Sequence, residues 1–430
     1  MPGLLVAAPA SGGGKTVATA GLCAALAADG LRIAPAKTGP DYIDPRFLAH
    51  AAGRPAVNLD TWAMRPAVVD GLLAGAAAGA DLVVAEGVMG LFDGAPGAGA
   101  AGSGSTADLA RRTGWPVVLV VDGTGQGASA AALVRGFRDH DPGVRLAGVI
   151  FTRVGGGAHA ETLRQAVAAL GVPVLGTLAR DATLALPSRH LGLVPAAEQA
   201  GLEEALATAA DRVREGVDLA AVRAAAGPDP APAAPPAPLP PPGQRIAVAD
   251  DAAFAFAYAH VLDGWRRAGA ETVPFSPLND EAPDADADAV YLPGGYPELH
   301  AGRLAANATF RAGLHAAARR GARVYGECGG YMALGEGLID ADGTHHRMAG
   351  LLPLTTSFAR RRLHLGYRAA RLTEDGTRVR GHEFHYATVV AEGPGEAFAE
   401  AWDARGNPRG FLGRRVGPVA GSFLHLMDRC

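Results

Sequence analysis

Four short stretches carry residue types suited to group transfer. "LLVAAPASGGGKT" sets a glycine-rich turn, ending in Lys15 and Thr16, between an apolar run and an alanine-rich one. Ser11, Gly12, Gly13, Gly14, Lys15 and Thr16 form a candidate ATP-binding loop. Its N–H groups cradle phosphates at a helix starting near Val17, Lys15 reaches the β- and γ-phosphates, and Thr16 ligates Mg²⁺. Pro9 stands where the phosphate-loop pattern has its first glycine. A plain glycine turn is the bland alternative, and the GKT ending between strand and helix argues against it.

Two further stretches bring charge to the same kind of place. "DLVVAEG" ends an apolar run with Glu86, and "AKTGPDYIDP" follows another with Lys37, Asp41, Tyr42 and Asp44. Thr16, Asp41 and Glu86 are the candidate Mg²⁺ ligands, hard oxygen donors for a hard cation. Lys37, Asp41, Tyr42 and Asp44 are the candidate substrate contacts, with Lys37 suited to stabilising charge in phosphoryl transfer. The competing reading is that Asp41 and Asp44 only cap turns beside Pro40 and Pro45.

"ARVYGECGGYM" has the form G-x-C-x-G at a strand-to-helix transition, the shape of a nucleophile elbow with cysteine in place of serine. It predicts Cys328 as nucleophile, exposed at a helix N-terminus whose dipole favours the thiolate. A small buried side chain in a tight turn is the alternative, and glycine flanks are a poor way to build a core. Gly294 and Gly295 of "YLPGGYPELH", with Gly329, are candidate oxyanion donors. For the base, His425 in "GSFLHL" competes with His382 and His385 in "GHEFHY" among thirteen histidines.

These residues need elements to hold them. "LLVAAP", "RIAPAKT", "DLVVAEG", "PVVLVVDG", "LAGVIFTR" and "VPVLGTL" alternate with alanine-rich helical stretches in the first half. Continuous apolar runs separated by helices predict strands buried on both faces of a doubly wound parallel α/β sheet, with ligands at the carboxyl ends of the strands. "RIAVADD", "ETVPFSP", "DAVYLPGG" and "ARVYGE" repeat the pattern in the second half. Between them lie nine prolines among residues 228–242, read as a semi-rigid spacer. The expected division is 1–225, a linker over 226–243, and 244–430.

With 430 residues, 49% apolar, the chain can bury more than one core. Its 39 basic and 43 acidic residues, with no long basic run, give no electrostatic footprint for nucleic acid. Three widely spaced cysteines make neither a disulfide framework nor a metal cluster, and no signal peptide or membrane span is read. A cytoplasmic protein is expected.

Taken in order, "SGGGKT", "KTGPDYIDP", "EGVMGLFDG", "LPGGYPE", "GECGGYM", "GHEFHY" and "GSFLHL" closely resemble the cobyrinic or hydrogenobyrinic acid a,c-diamide synthases, the glutamine-dependent amidotransferases of cobalamin synthesis. The resemblance spans nearly the whole chain outside the proline stretch. It implies an N-terminal ATP-dependent amidoligase domain similar to dethiobiotin synthetase and a C-terminal class I glutamine amidotransferase domain. It also implies Mg²⁺, with ATP and glutamine as co-substrates and a corrinoid as the molecule amidated; a homodimer is left open. By motif, Cys328 attacks the glutamine amide and His425 activates it. Met427 stands where many class I amidotransferases have a glutamate, which implies a dyad, and Thr152 stands where relatives often have an asparagine for adenine. Cobyric acid synthase and nickel-sirohydrochlorin a,c-diamide synthase share the architecture, and "GPDYIDP" disfavours the former. A partitioning-type P-loop ATPase switch with an inert cysteine domain is the rival from another class.

Overall fold

The computed structural model describes residues 2–181, 188–189, 192–193 and 201–430. The chain forms two compact units, Met1–Trp62, Pro66–Ala95 and Gly99–Pro235 in one and Ala63–Arg65, Pro96–Ala98 and Pro236–Cys430 in the other.

The first unit is built on a seven-stranded sheet of β1 (Gly3–Ala7), β2 (Ile33–Thr38), β3 (Val57–Leu59), β4 (Leu82–Glu86), β5 (Val117–Asp122), β6 (Leu146–Val154) and β7 (Val174–Ala179). Its order is β3-β2-β4-β1-β5-β6-β7, and every pairing is parallel. β1, β2 and β4 are buried along their whole length, as the uninterrupted apolar runs require. Six of the strands follow the sequence expectation; β3, three residues long, was not foreseen. Because β2, β4 and β1 are neighbours, the residues after Thr38, Glu86 and Ala7 meet at one sheet edge.

The second unit holds a ten-stranded mixed sheet. Strands Glu271–Phe275, Arg245–Ala249, Ala289–Leu292, Arg323–Glu327 and Val419–Ser422 run parallel in that order. Pro408–Val416, Glu396–Asp403, His364–Leu372, Arg378–His385 and Leu424–Arg429 continue it antiparallel. The expected parallel strands are present, whereas the antiparallel half and a separate four-stranded sheet over residues 337–392 go beyond the expectation. The core under the parallel half gathers Phe254, Val290, Leu292, Phe310, Leu314, Tyr331 and Leu334.

The proline stretch is laid along both units. Gly227 N–H bonds the Gly3 carbonyl at 2.8 Å, and Trp115 Nε1 donates to the Pro228 carbonyl at 2.8 Å. Farther on, Arg429 N–H bonds the Pro238 carbonyl at 3.1 Å, and Leu239 is buried.

Candidate functional sites

In the first unit, β1 runs into the glycine turn, and helix α1 (Lys15–Ala28) begins at Lys15, two residues before the expected Val17. Gly14 caps it with φ 83°, a left-handed conformation that costs glycine little. The turn is braced from β6: the Thr152 hydroxyl donates to the Gly13 carbonyl at 2.8 Å and Arg153 Nη2 to the Gly12 carbonyl at 2.8 Å. Thr152, expected at the adenine position, therefore fastens the loop.

Lys15 Nζ donates to Glu86 Oε1 at 2.9 Å and to the Gly87 carbonyl at 2.6 Å. Lys37 Nζ reaches the same Oε1 at 3.0 Å and Asp44 Oδ2 at 2.6 Å, and the Thr16 hydroxyl donates to Oε1 at 2.7 Å. Residues up to 71 positions apart thus converge on one carboxylate oxygen. Burial pushes the Glu86 carboxyl up, but the two ammonium groups outweigh it and keep it ionised, down to about 2. Burial also works against Lys37, and the Asp44 and Glu86 carboxylates more than offset it. Asp44 is raised to about 7, first by burial and then by Asp41, despite Lys37.

The turn after β2 answers the choice between capping and ligation differently for its two acids. Asp41 Oδ1 accepts the N–H groups of Ile43 at 2.7 Å and Asp44 at 3.0 Å, so that oxygen caps helix α2 (Asp44–Ala52). Asp44 instead pairs with Lys37 inside the cluster. Tyr42 is buried. Asn58, which the sequence did not single out, donates to the carbonyls of Gly39 at 3.0 Å and Asp41 at 2.6 Å and sets this turn from β3. Nothing in the sequence signalled it, because Asn58 lies in the short strand β3 and its burial is created by the fold. Glu86 Oε2 is buried with no hydrogen-bond partner, an orphaned hard oxygen beside the Thr16 hydroxyl that suits Mg²⁺.

In the second unit, the strand Arg323–Glu327 ends at Cys328, and the helix Gly329–Leu334 follows at once. Cys328 has φ 47° and ψ −102°. A non-glycine residue held there stores about 1–3 kcal/mol of backbone strain, which clusters at functional sites. The glycines are steric necessities: a Cβ at Gly330 would lie 1.9 Å from the Leu292 carbonyl oxygen, and one at Gly326 would lie 2.6 Å from the Gly330 carbonyl carbon.

The elbow is as expected, but the exposure is not. Cys328 is 1% exposed, and burial pushes its thiol well above the usual range, reinforced by the Glu298 carboxylate. The helix after it has only six residues, too short for its dipole to reverse that. The resting site therefore holds a thiol, and a base must take its proton.

His425 is placed to do so. A Cβ built on Gly294 would lie 2.3 Å from His425 Cε1, 3.1 Å from His425 Nε2 and 3.3 Å from Cys328 Cβ, so imidazole and thiol close on the same small space. Burial pushes His425 down to about 3, leaving the ring neutral and able to accept a proton. His385 is otherwise engaged, with Nε2 3.1 Å from Glu383 Oε1 and Nδ1 3.1 Å from the Ala387 carbonyl. His382 pairs with His425 in register between adjacent strands. His364, Glu383 and His385 each bring a ligand atom within 4.8 Å of the others, yet Arg368 already holds Glu383 Oε2 at 2.7 Å, making this an ion-pair network.

Gly295 N lies 2.9 Å from a Cβ built on Gly329. Gly330 N–H is spent on the Pro293 carbonyl at 3.0 Å. Gly294, Gly295 and Gly329 thus stay together at the thiol as donor candidates. Gly294→Ala is expected to lower glutamine turnover roughly hundredfold by displacing the ring or the thiol by about 1 Å, with the fold retained. Glutaminase kinetics alongside a thermal melt check this, and an unchanged rate would separate the three groups.

Arranged in this way, one unit is a phosphate-loop nucleotide site and the other a cysteine amidotransferase site. Residues 4–194 match the model of the CobQ/CobB/MinD/ParA nucleotide binding domain, and residues 245–428 match that of the CobB/CobQ-like glutamine amidotransferase domain. The chain is 55% identical to a hydrogenobyrinate a,c-diamide synthase of Sinorhizobium sp, covering 100% of this chain and 99% of the relative. It is 55% identical to that of Rhodobacter capsulatus (99% and 98% covered) and 51% identical to that of Mesorhizobium japonicum (99% and 98% covered). The chain belongs to the hydrogenobyrinate a,c-diamide synthase family.

Proposed function

We propose that this protein uses ATP and glutamine to amidate the a and c carboxylates of hydrogenobyrinic acid. The observation that carries this is the pairing, within one chain, of the Lys15–Lys37–Glu86 cluster at a phosphate loop with the Cys328–His425 pair at an elbow. The two sites divide the chemistry. A carboxylate is a poor electrophile until one of its oxygens carries phosphate, and ammonia is scarce until it is released locally.

At the second site His425 takes the Cys328 proton as the sulfur attacks the glutamine side-chain carbon. The resulting oxyanion is held by N–H groups of Gly294, Gly295 and Gly329, and His425 returns its proton to the departing ammonia. Water then cleaves the thioester to glutamate and restores the thiol. At the first site, a corrinoid carboxylate oxygen attacks the γ-phosphorus of ATP, releasing ADP. Ammonia then attacks the acyl carbon and expels phosphate. Lys15 and Lys37 balance the charge on the transferring group, and Ser11 to Gly14 orient the phosphates. Thr16 and Glu86, with the Asp41 oxygen that does not cap the turn, would hold Mg²⁺, and the ion would neutralise phosphate charge. Tyr42 and Asp44, on the turn after β2, would meet the corrinoid together with Lys37 at the end of that strand.

The domain division proposed is an amidoligase over 1–225 and a glutaminase over 244–430. Among the described residues no helix is long and apolar enough to cross a membrane, and all three cysteines are free, which suits the cytoplasm. The test is product analysis by mass spectrometry with ATP, glutamine and either hydrogenobyrinic or cobyrinic acid. A diamide from hydrogenobyrinic acid is expected; none from it, while ATP binds, overturns the reading.

A further inference from the structure

Met427 is apolar and fully buried, so the acid that many amidotransferases place two residues after the histidine is missing. A carboxylate nevertheless faces the ring. Glu327 ends the strand that leads into Cys328 and is 2% exposed. Its Oε2 accepts the Tyr291 hydroxyl at 2.8 Å, and its Oε1 accepts the Tyr325 hydroxyl at 3.0 Å and the Leu426 N–H at 3.1 Å. Oε2 lies 3.8 Å from His425 Nδ1. The Cε1 and Nε2 atoms of that ring lie 2.3 and 3.1 Å from a Cβ built on Gly294, which itself would be 3.3 Å from Cys328 Cβ, so Nε2 is on the thiol side of the ring. The order is therefore thiol, imidazole, carboxylate, with the acid supplied from the residue before the nucleophile.

Glu327 is unusually well anchored for such a task. Three donors from two strands and from the backbone beside His425 fix both oxygens, so the carboxylate and the histidine strand are gripped together. A cavity of about 340 Å³ opens behind it, lined by Trp265, Tyr291, Tyr325, Phe398 and Arg323 among others. Resting catalytic contacts are often longer than hydrogen bonds and tighten only with substrate, which fits a 3.8 Å separation.

We propose that Glu327 is a positioning residue of the glutaminase site: it orients His425 with Nδ1–H toward itself and Nε2 toward the thiol, and balances the imidazolium formed when the thiol proton is taken. This rests on the glutaminase reading above. The role needs an ionised carboxylate. Burial pushes Glu327 up to about 7, opposed by the hydrogen bonds from Leu426, Tyr291 and Tyr325. Besides these groups, it faces His425, and Arg323, Glu374 and Arg415 line the cavity behind it. As pH falls through about 7 the carboxylate takes a proton, its support for the imidazolium is lost, and glutamine turnover falls.

The experiment uses the full chain with Glu327→Gln, read against pH. The kcat for glutamine is expected to fall at least about a hundredfold, less than the roughly 10⁴-fold that removing a serine-protease triad carboxylate costs. KM for glutamine should stay within twofold, ammonia-driven amidation should be unchanged, and the acid limb near pH 7 should disappear. A kcat within threefold of the parent, or a change confined to KM, overturns the proposal. If ammonia-driven amidation also falls, packing is damaged and Glu327→Asp decides: its acid limb must move below that of the parent, and an unmoved limb overturns the proposal. Failure of the parent chain to hydrolyse glutamine would refute the glutaminase reading instead, so the two failures are distinguishable.

Discussion

Cys328→Ala is expected to remove glutamine-dependent amidation, down by about 10⁶-fold to background, while high ammonia still drives the reaction at the parent rate. The size follows from chemistry: without the sulfur no covalent intermediate forms, and the remaining oxyanion donors have nothing to stabilise. The spared activity follows from geography. Cys328 belongs to the second unit, and the lysine and carboxylate cluster belongs to the first. Alanine fits the elbow as cysteine does, at a cost of about 1 kcal/mol for the small void. Parallel assays with glutamine and with ammonium chloride check it, and loss of both activities in a folded variant would contradict two separate sites.

Lys15→Gln should produce the complementary pattern. Amidation should fall about 10²–10³-fold with either nitrogen source, roughly 2.7–4 kcal/mol of lost transition-state stabilisation, because Lys15 is proposed to meet the developing phosphate charge. Glutamine hydrolysis should continue without amide formation. The choice of glutamine matters. Glu86 is fully buried, and stripping away a charged partner from a buried carboxylate can cost about 3–5 kcal/mol. Here Lys37 and the Thr16 hydroxyl still hold Glu86, so the fold should survive. Measuring ADP, glutamate and amide together checks this; retained amide formation would remove Lys15 from the transfer step.

The parallel sheet of the first unit and the parallel half of the second were legible because strands such as Leu82–Glu86 and Ala289–Leu292 are buried on both faces and therefore read as continuous apolar runs. The antiparallel strands were not. Pro408–Val416 reads PRGFLGRRV and is exposed or half-exposed throughout, so charge interrupts every apolar run. The elbow could be read from glycine spacing, since Gly326 and Gly330 answer local crowding. The state of the thiol could not, because burial of Cys328 is created by chain that arrives from elsewhere, including His425. Glu327 escaped notice for a similar reason. Beside Cys328 in sequence it looks like an ordinary strand residue, and only the fold brings Tyr291, Leu426 and His425 around it. Asp41 shows the opposite case, where the modest turn-capping role visible in the sequence is the one its Oδ1 performs.

Burial of Cys328 also bears on durability. Oxidants attack thiolates that are accessible, and this sulfur is kept both protonated and covered, whereas Cys430 at the chain end lies open to solvent. In the resting protein peroxide should therefore modify Cys430 and spare the nucleophile. The vulnerable interval is confined to the moments when glutamine has been admitted and the proton has moved. The sulfur proposed to release nitrogen is thus kept safe between turnovers.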